Sequence, residues 1–68
     1  MRVYFQTSNG VRRLIGQPHN RAEAYRIITQ FLDDHNYRSY YFREWKENDE
    51  IWIDAGSWSE FFILIEES

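Results

Sequence analysis

Apolar and polar residues alternate with a period of two at both ends of the chain and with a period near 3.6 in between. The first alternating stretch, "RVYFQTS-NG-VRRLIG" (residues 2–16), is broken by Asn9-Gly10. That dipeptide between two alternating runs predicts a two-residue type I′ hairpin, because both turn positions need positive φ. Such a turn pairs Ser8 with Val11, Phe5 with Leu14, and Val3 with Gly16. Val3, Phe5 and Leu14 then share a core face, and Tyr4, Gln6, Arg13 and Ile15 share the other. After "GQPHN", Asn20 is placed to cap a helix, with Glu23 three residues later in the capping-box position. Ala24, Ile27, Ile28, Phe31 and Leu32 follow at i, i+3, i+4, i+7 and i+8, a single apolar stripe. Asn36 is the expected left-handed residue at its C-terminal end.

The rest predicts three strands, about Ser39–Lys46, Glu50–Ala55 and Glu60–Glu66, joined by "END" and "GSWS". In the middle strand Ile51, Ile53 and Ala55 alternate with Glu50, Trp52 and Asp54. A two-residue Asn48-Asp49 turn would oppose Glu47 to Glu50 and set Lys46 and Glu44 beside Ile51 and Ile53. Burying those charges is costly, as is opposing like ones. A three-residue loop with Asp49 left-handed pairs Lys46 with Glu50, Trp45 with Ile51 and Tyr41 with Ala55 instead, and is the expected register. Tyr41, Trp45, Ile51 and Ile53 then face the helix. Tyr40, Phe42 and Trp52, with Glu44, Glu50 and Asp54 among them, occupy the opposite face. The run "FFILI" (61–65) adds apolar surface to both sides, whichever of its alternate sets meets the helix. One helix covers one face of a sheet, so an apolar second face is left without cover.

The expected fold is therefore α+β, in the order β-β-α-β-β-β. A twisted antiparallel sheet carries the single amphipathic helix on one face. Its core is Val3, Phe5, Leu14, Ile27, Ile28, Phe31, Trp45, Ile51 and Ile53.

Composition sharpens this picture. The 68 residues make one domain near the lower limit of independent folding. Ordering them costs about 100 kcal/mol at roughly 1.5 kcal/mol per residue. Without cysteine there is neither a disulfide framework nor a thiolate metal site, and of the remaining aids self-association fits best. Hydrophobic residues at 43% and aromatics at 19% belong to a folded chain rather than a disordered one. The N-terminus reads directly into a strand, with no signal-peptide or membrane-span pattern. A soluble, cytoplasmic protein is expected.

Residues 1–34 carry a balance of +2 and residues 35–68 one of −5. An acidic half speaks against a broad nucleic-acid surface, which needs clustered Lys and Arg. Asp33-Asp34-His35 would point in different directions on a helix and cannot converge on a metal. No serine or threonine stands in a nucleophile elbow, no glycine-rich phosphate loop is present, and no motif of a known family stands in the chain. No cofactor, small-molecule ligand or catalytic residue is predicted. The expected function is that of a non-enzymatic interaction module. It would contact a second copy or another protein through Tyr40, Phe42, Trp52, Glu44, Glu50 and Asp54. The alternative is a small acidic inhibitor that mimics nucleic acid, using Glu44, Glu47, Asp49, Glu50, Asp54 and Glu60. In type, such a chain resembles the small accessory proteins of bacteria and their phages.

Overall fold

The computed structural model describes residues 1–35, 41–56 and 60–66. Its elements run β1 (Arg2–Gln6), β2 (Arg12–Gly16), α1 (Arg21–Asp34), β3 (Arg43–Glu47), β4 (Glu50–Asp54) and β5 (Phe61–Ile65). The five strands form one open antiparallel sheet in the order β2-β1-β5-β4-β3. The fold is the expected α+β one, with the helix on one side. Connectivity explains the strand order. The chain makes an edge hairpin, crosses to the opposite edge by way of α1, and returns through a meander that docks β5 beside β1.

α1 forms where the apolar stripe predicts it. The Asn20 side chain accepts a hydrogen bond from the Glu23 backbone N–H at 2.8 Å, which satisfies one of the donors orphaned in the first turn. Glu23 completes only half of a capping box, since its carboxylate lies 3.3 Å from His19 Nδ1. His35 closes the other end. Its backbone N–H donates to the Phe31 carbonyl, and its ring stacks on Phe31 at 4.1 Å. Asn36, the expected terminator, lies outside the described residues.

Ala24, Ile28 and Leu32 of α1 bury against Val3, Ile51, Ile53, Phe62 and Leu64 of the sheet. Phe5, Phe31 and Phe62 interlock at one end, with centroids 4.7 to 5.5 Å apart. Each fully buried Ile or Leu here contributes about 1.5–3 kcal/mol. Gly16 lies under Ile27, where a Cβ would come within 2.7 Å of Ile27 Cδ1.

Both hairpins differ from expectation, and in opposite senses. In the first, Gly10 N–H donates to Thr7 O, and Thr7 N–H donates to Val11 O. Gly10 alone takes positive φ, +82°, so the loop has three residues rather than two. Tyr4 pairs with Leu14 and Phe5 with Arg13, while Val3 still meets Gly16. A bulge between these pairs absorbs the extra residue, which is Ile15. Ile15 thereby packs on the helix side in place of Leu14, which is 44% exposed.

In the second hairpin Asn48 and Asp49 both take positive φ, 52° and 63°, and Glu47 pairs with Glu50. The two-residue loop wins because its anticipated penalty does not arise. β3 is an edge strand, and all five of its residues are exposed, so Glu44 and Lys46 are not buried. Glu44 instead accepts from Arg21 Nη2 at 2.8 Å and from the Tyr25 hydroxyl, both on α1. Glu50 is drawn to Arg12, and Glu47 accepts from Trp45 Nε1 at 3.3 Å. Trp45 consequently leaves the expected core for the opposite face, and Tyr41 is 60% exposed.

Candidate protein-docking face

Register fixes which side chains share the uncovered side of the sheet. Leu14 pairs with Tyr4, Tyr4 with Ile63, Ile63 with Trp52, and Trp52 with Trp45. These five residues form one apolar row crossing all five strands, β2 to β3. Its centre is closed and its ends are open. Ile63 is fully buried although no described helix or loop lies over it, whereas Leu14 and Trp45 are 44% and 37% exposed. Beside the row, Phe61 lies edge-on to both Trp45 and Trp52, at 5.9 and 5.5 Å. The two indoles stack at 6.2 Å. Aromatic pairs at these distances contribute beyond the area they bury.

Charged residues border the row in matched pairs. Arg43 donates to Asp54 at 2.7 Å, and Asp54 also accepts from the Gly56 backbone N–H. Arg12 forms a clasp across the face. Its guanidinium grips both Glu50 carboxylate oxygens at 2.7 and 3.0 Å, its Nε donates to Gln6, and its head lies 5.8 Å above the Trp52 ring. Arg12 and Glu50 sit on β2 and β4, with β1 and β5 between them, so the sheet must coil toward this face for them to meet. Hydrogen bonding to Arg12 holds the Glu50 carboxyl below its usual range, and the same bond raises the Arg12 guanidinium. Trp52 Nε1 is buried without a partner at hydrogen-bond geometry, although its indole dipole lies close enough to Glu50 to favour the ionised form.

The expected contact residues divide between the two sides. Trp52, Glu50 and Asp54 lie on the open face. Phe42 and Glu44 do not: the β3–β4 register turns them to the helix side, where Phe42 meets Tyr25 edge-on at 5.2 Å. There the Tyr25 hydroxyl is pushed up to about 12, first by burial and then by its hydrogen bond to Glu44. Tyr40 lies outside the described residues. Sequence reasoning missed Tyr4, Leu14, Trp45, Phe61 and the Arg12 clasp. A usable signal was present, since the two-residue turn aligns Trp45 with Trp52 and Arg43 with Asp54, two favourable cross-strand pairs.

On the helix side, an open groove of about 310 Å³ is lined by Ile15, Ile27, Gln30, Phe31 and Asp34. Its two polar groups bond to each other, Gln30 Nε2 to Asp34 Oδ1 at 3.0 Å. Among the described residues no three His, Asp or Glu side chains gather as a metal ion requires, and no helix is long and apolar enough to cross a membrane.

Fold and face together define a class: a small α+β domain whose helix covers one sheet face and whose other face is open among the described residues. No family model, no curated protein and no solved structure matches the chain.

Proposed function

We propose that the protein is a non-enzymatic interaction module that binds a protein chain through its open sheet face. The observation that carries this reading is the row Leu14–Tyr4–Ile63–Trp52–Trp45. It is apolar and aromatic from edge to edge, rimmed by Arg and carboxylate pairs, and uncovered at both ends. Trp, Tyr and Arg are the residues that most often anchor protein contacts. Here they are pre-placed: the indoles are stacked and Arg12 is held at both ends of its guanidinium, so docking costs little side-chain ordering.

The acidic-inhibitor alternative draws less support from the same geometry. Of its six carboxylates, Glu44, Glu50 and Asp54 are each held by an arginine and are not displayed as free negative charge.

The test is capture and titration of a protein partner by the wild type and by two folded variants, at low and high salt. Trp52→Ala should weaken binding by about 2 kcal/mol, roughly 30-fold. Leu14→Glu, at the exposed end of the row, should abolish it. Unchanged binding in both variants, with steep weakening by salt, would instead favour the acidic surface.

A further inference from the structure

We infer that β3 is a self-complementary edge, on which a second copy of this chain pairs antiparallel about Trp45. The inference stands independently of what docks on the open face.

β3 is the outermost strand of the sheet, and its five residues read Arg43-Glu44-Trp45-Lys46-Glu47. Turned antiparallel on itself about Trp45, this string sets Arg43 opposite Glu47, Glu44 opposite Lys46, and Trp45 opposite its own copy. All four charged residues thus find an opposite charge, and the two-fold axis repeats each pair.

Backbone geometry admits this register and, with the charges, leaves no other within the strand. The two-residue loop closes on the pair Glu47/Glu50, so Arg43, Trp45 and Glu47 turn their N–H and C=O groups toward β4. Glu44 and Lys46 turn theirs outward, to an edge that no described strand pairs with. An antiparallel ladder forms only if outward residues face outward residues. Three symmetric registers meet that condition within the strand. Two of them oppose Glu44 to Glu44 or Lys46 to Lys46, which is repulsive. The third opposes Glu44 to Lys46 twice and is centred on Trp45.

The side chains are free to comply. Lys46 has no ion-pair partner among the described residues. Glu44 already accepts from Arg21 and Tyr25, yet a carboxylate offers about four acceptor positions and can take a lysine as well. The other edge lacks these properties. Folding β2 on itself about Leu14 would set Arg12 opposite Gly16 and Arg13 opposite Ile15, next to a bulge that spoils a ladder. Pairing through β3 alone closes after two copies, as an isologous contact must. It joins two five-stranded sheets into one, and the two apolar rows meet at the Trp45 pair. A contact this narrow is weak, with Kd on the order of 10–100 μM.

The experiment is a sedimentation series to about 1 mM run beside amide exchange of the same samples. A dimer should appear, and with it the Glu44 and Lys46 amides, fast at low concentration, should slow. Lys46→Glu alters two symmetric pairs and should raise Kd at least about tenfold; Glu44→Lys should do the same. The two variants mixed should recover a heterodimer, because each supplies the charges the other lacks. Leu14→Glu should leave the dimer intact, which separates failure of the edge from failure of the open-face reading. A monomer throughout the series would overturn the inference. So would a dimer in which residues 44 and 46 exchange as before, or a mixture that fails to associate while both variants are folded.

Discussion

Ile63 is the sharpest probe of the open face. It lies on the side away from the helix, between Tyr4 and Trp52 in register, and is fully buried. If the aromatic row and the Arg12 clasp form a fixed lid, truncating Ile63 leaves a cavity beneath it. Ile63→Ala deletes three carbons, about 0.8 kcal/mol each in transfer free energy, and the unfilled space brings the total to about 3 kcal/mol. For 68 residues the whole stability is about 3–10 kcal/mol. The variant should therefore melt roughly 12–24 °C lower. Urea unfolding followed by tryptophan emission reads the loss directly, with an unchanged slope showing that only stability has moved. Leu64→Ala, one residue along and buried under the helix, is the control, with a similar cost. A loss below about 1 kcal/mol for Ile63→Ala beside about 3 for Leu64→Ala would rule out a fixed lid. It would mean that the lid collapses freely, and that the face is not the preorganised platform that docking was argued to use.

Two further measurements address other parts of the molecule. Gly16→Ala places a Cβ 2.7 Å from Ile27 Cδ1 and 3.1 Å from Cγ2, and should cost about 1–2 kcal/mol. In an Ile27→Val background, which lacks Cδ1, the added cost should fall by half or more, as a double-mutant cycle would show. Stability should also fall at both extremes of pH. The Glu50 carboxyl is lowered in the folded state, so its contribution is present above the ordinary carboxyl value and is lost as pH falls through the folded one. Arg12→Gln should remove that acid limb. The Tyr25 hydroxyl is raised to about 12, so its contribution is present below about 10 and lost as pH climbs toward 12. Tyr25→Phe should flatten the alkaline limb, and a limb unchanged by it would assign the loss elsewhere.

The helix was legible from sequence because its signals are local and agree. The stripe Ala24–Ile28–Leu32 and the Asn20 cap both lie within one continuous segment, and all four residues behave as predicted. Element order was legible for the same reason. The faces of the strands were not, because a strand's face depends on loop length, and one residue more or less turns every side chain over. Both hairpins show this. Asn9-Gly10 suits a type I′ turn, yet Gly10 alone takes the left-handed position, and a bulge at Ile15 restores the Val3–Gly16 pair. The slip between those two points turns Arg12 and Leu14 to the open face, and it makes the clasp on Glu50 possible.

What decided the second hairpin was non-local. The case against the two-residue turn assumed that everything beside Ile51 and Ile53 must be buried. That holds for a central strand and fails for an edge. β3 is an edge because β5, the last strand, inserts beside β1. No alternation within residues 39–55 carries that information. Once β3 lies at the margin, Glu44 can reach back to Arg21 and Tyr25 of the helix while its strand stays wet. Trp45 is then free to join Trp52 on the other side. Seven of the eight basic residues are arginine, and that preference acquires a physical meaning in the same step. Arg12, Arg21 and Arg43 each bond a carboxylate on another strand or across layers, and Arg12 does so with both nitrogens of its fork. A lysine could reach but lacks the planar fork that meets both carboxylate oxygens with parallel hydrogen bonds. In so small a sheet, the Arg12–Glu50 contact draws β2 and β4 together over a face that no second helix covers among the described residues. Trp45 and Leu14 remain as its exposed apolar ends, where the proposed docking would begin.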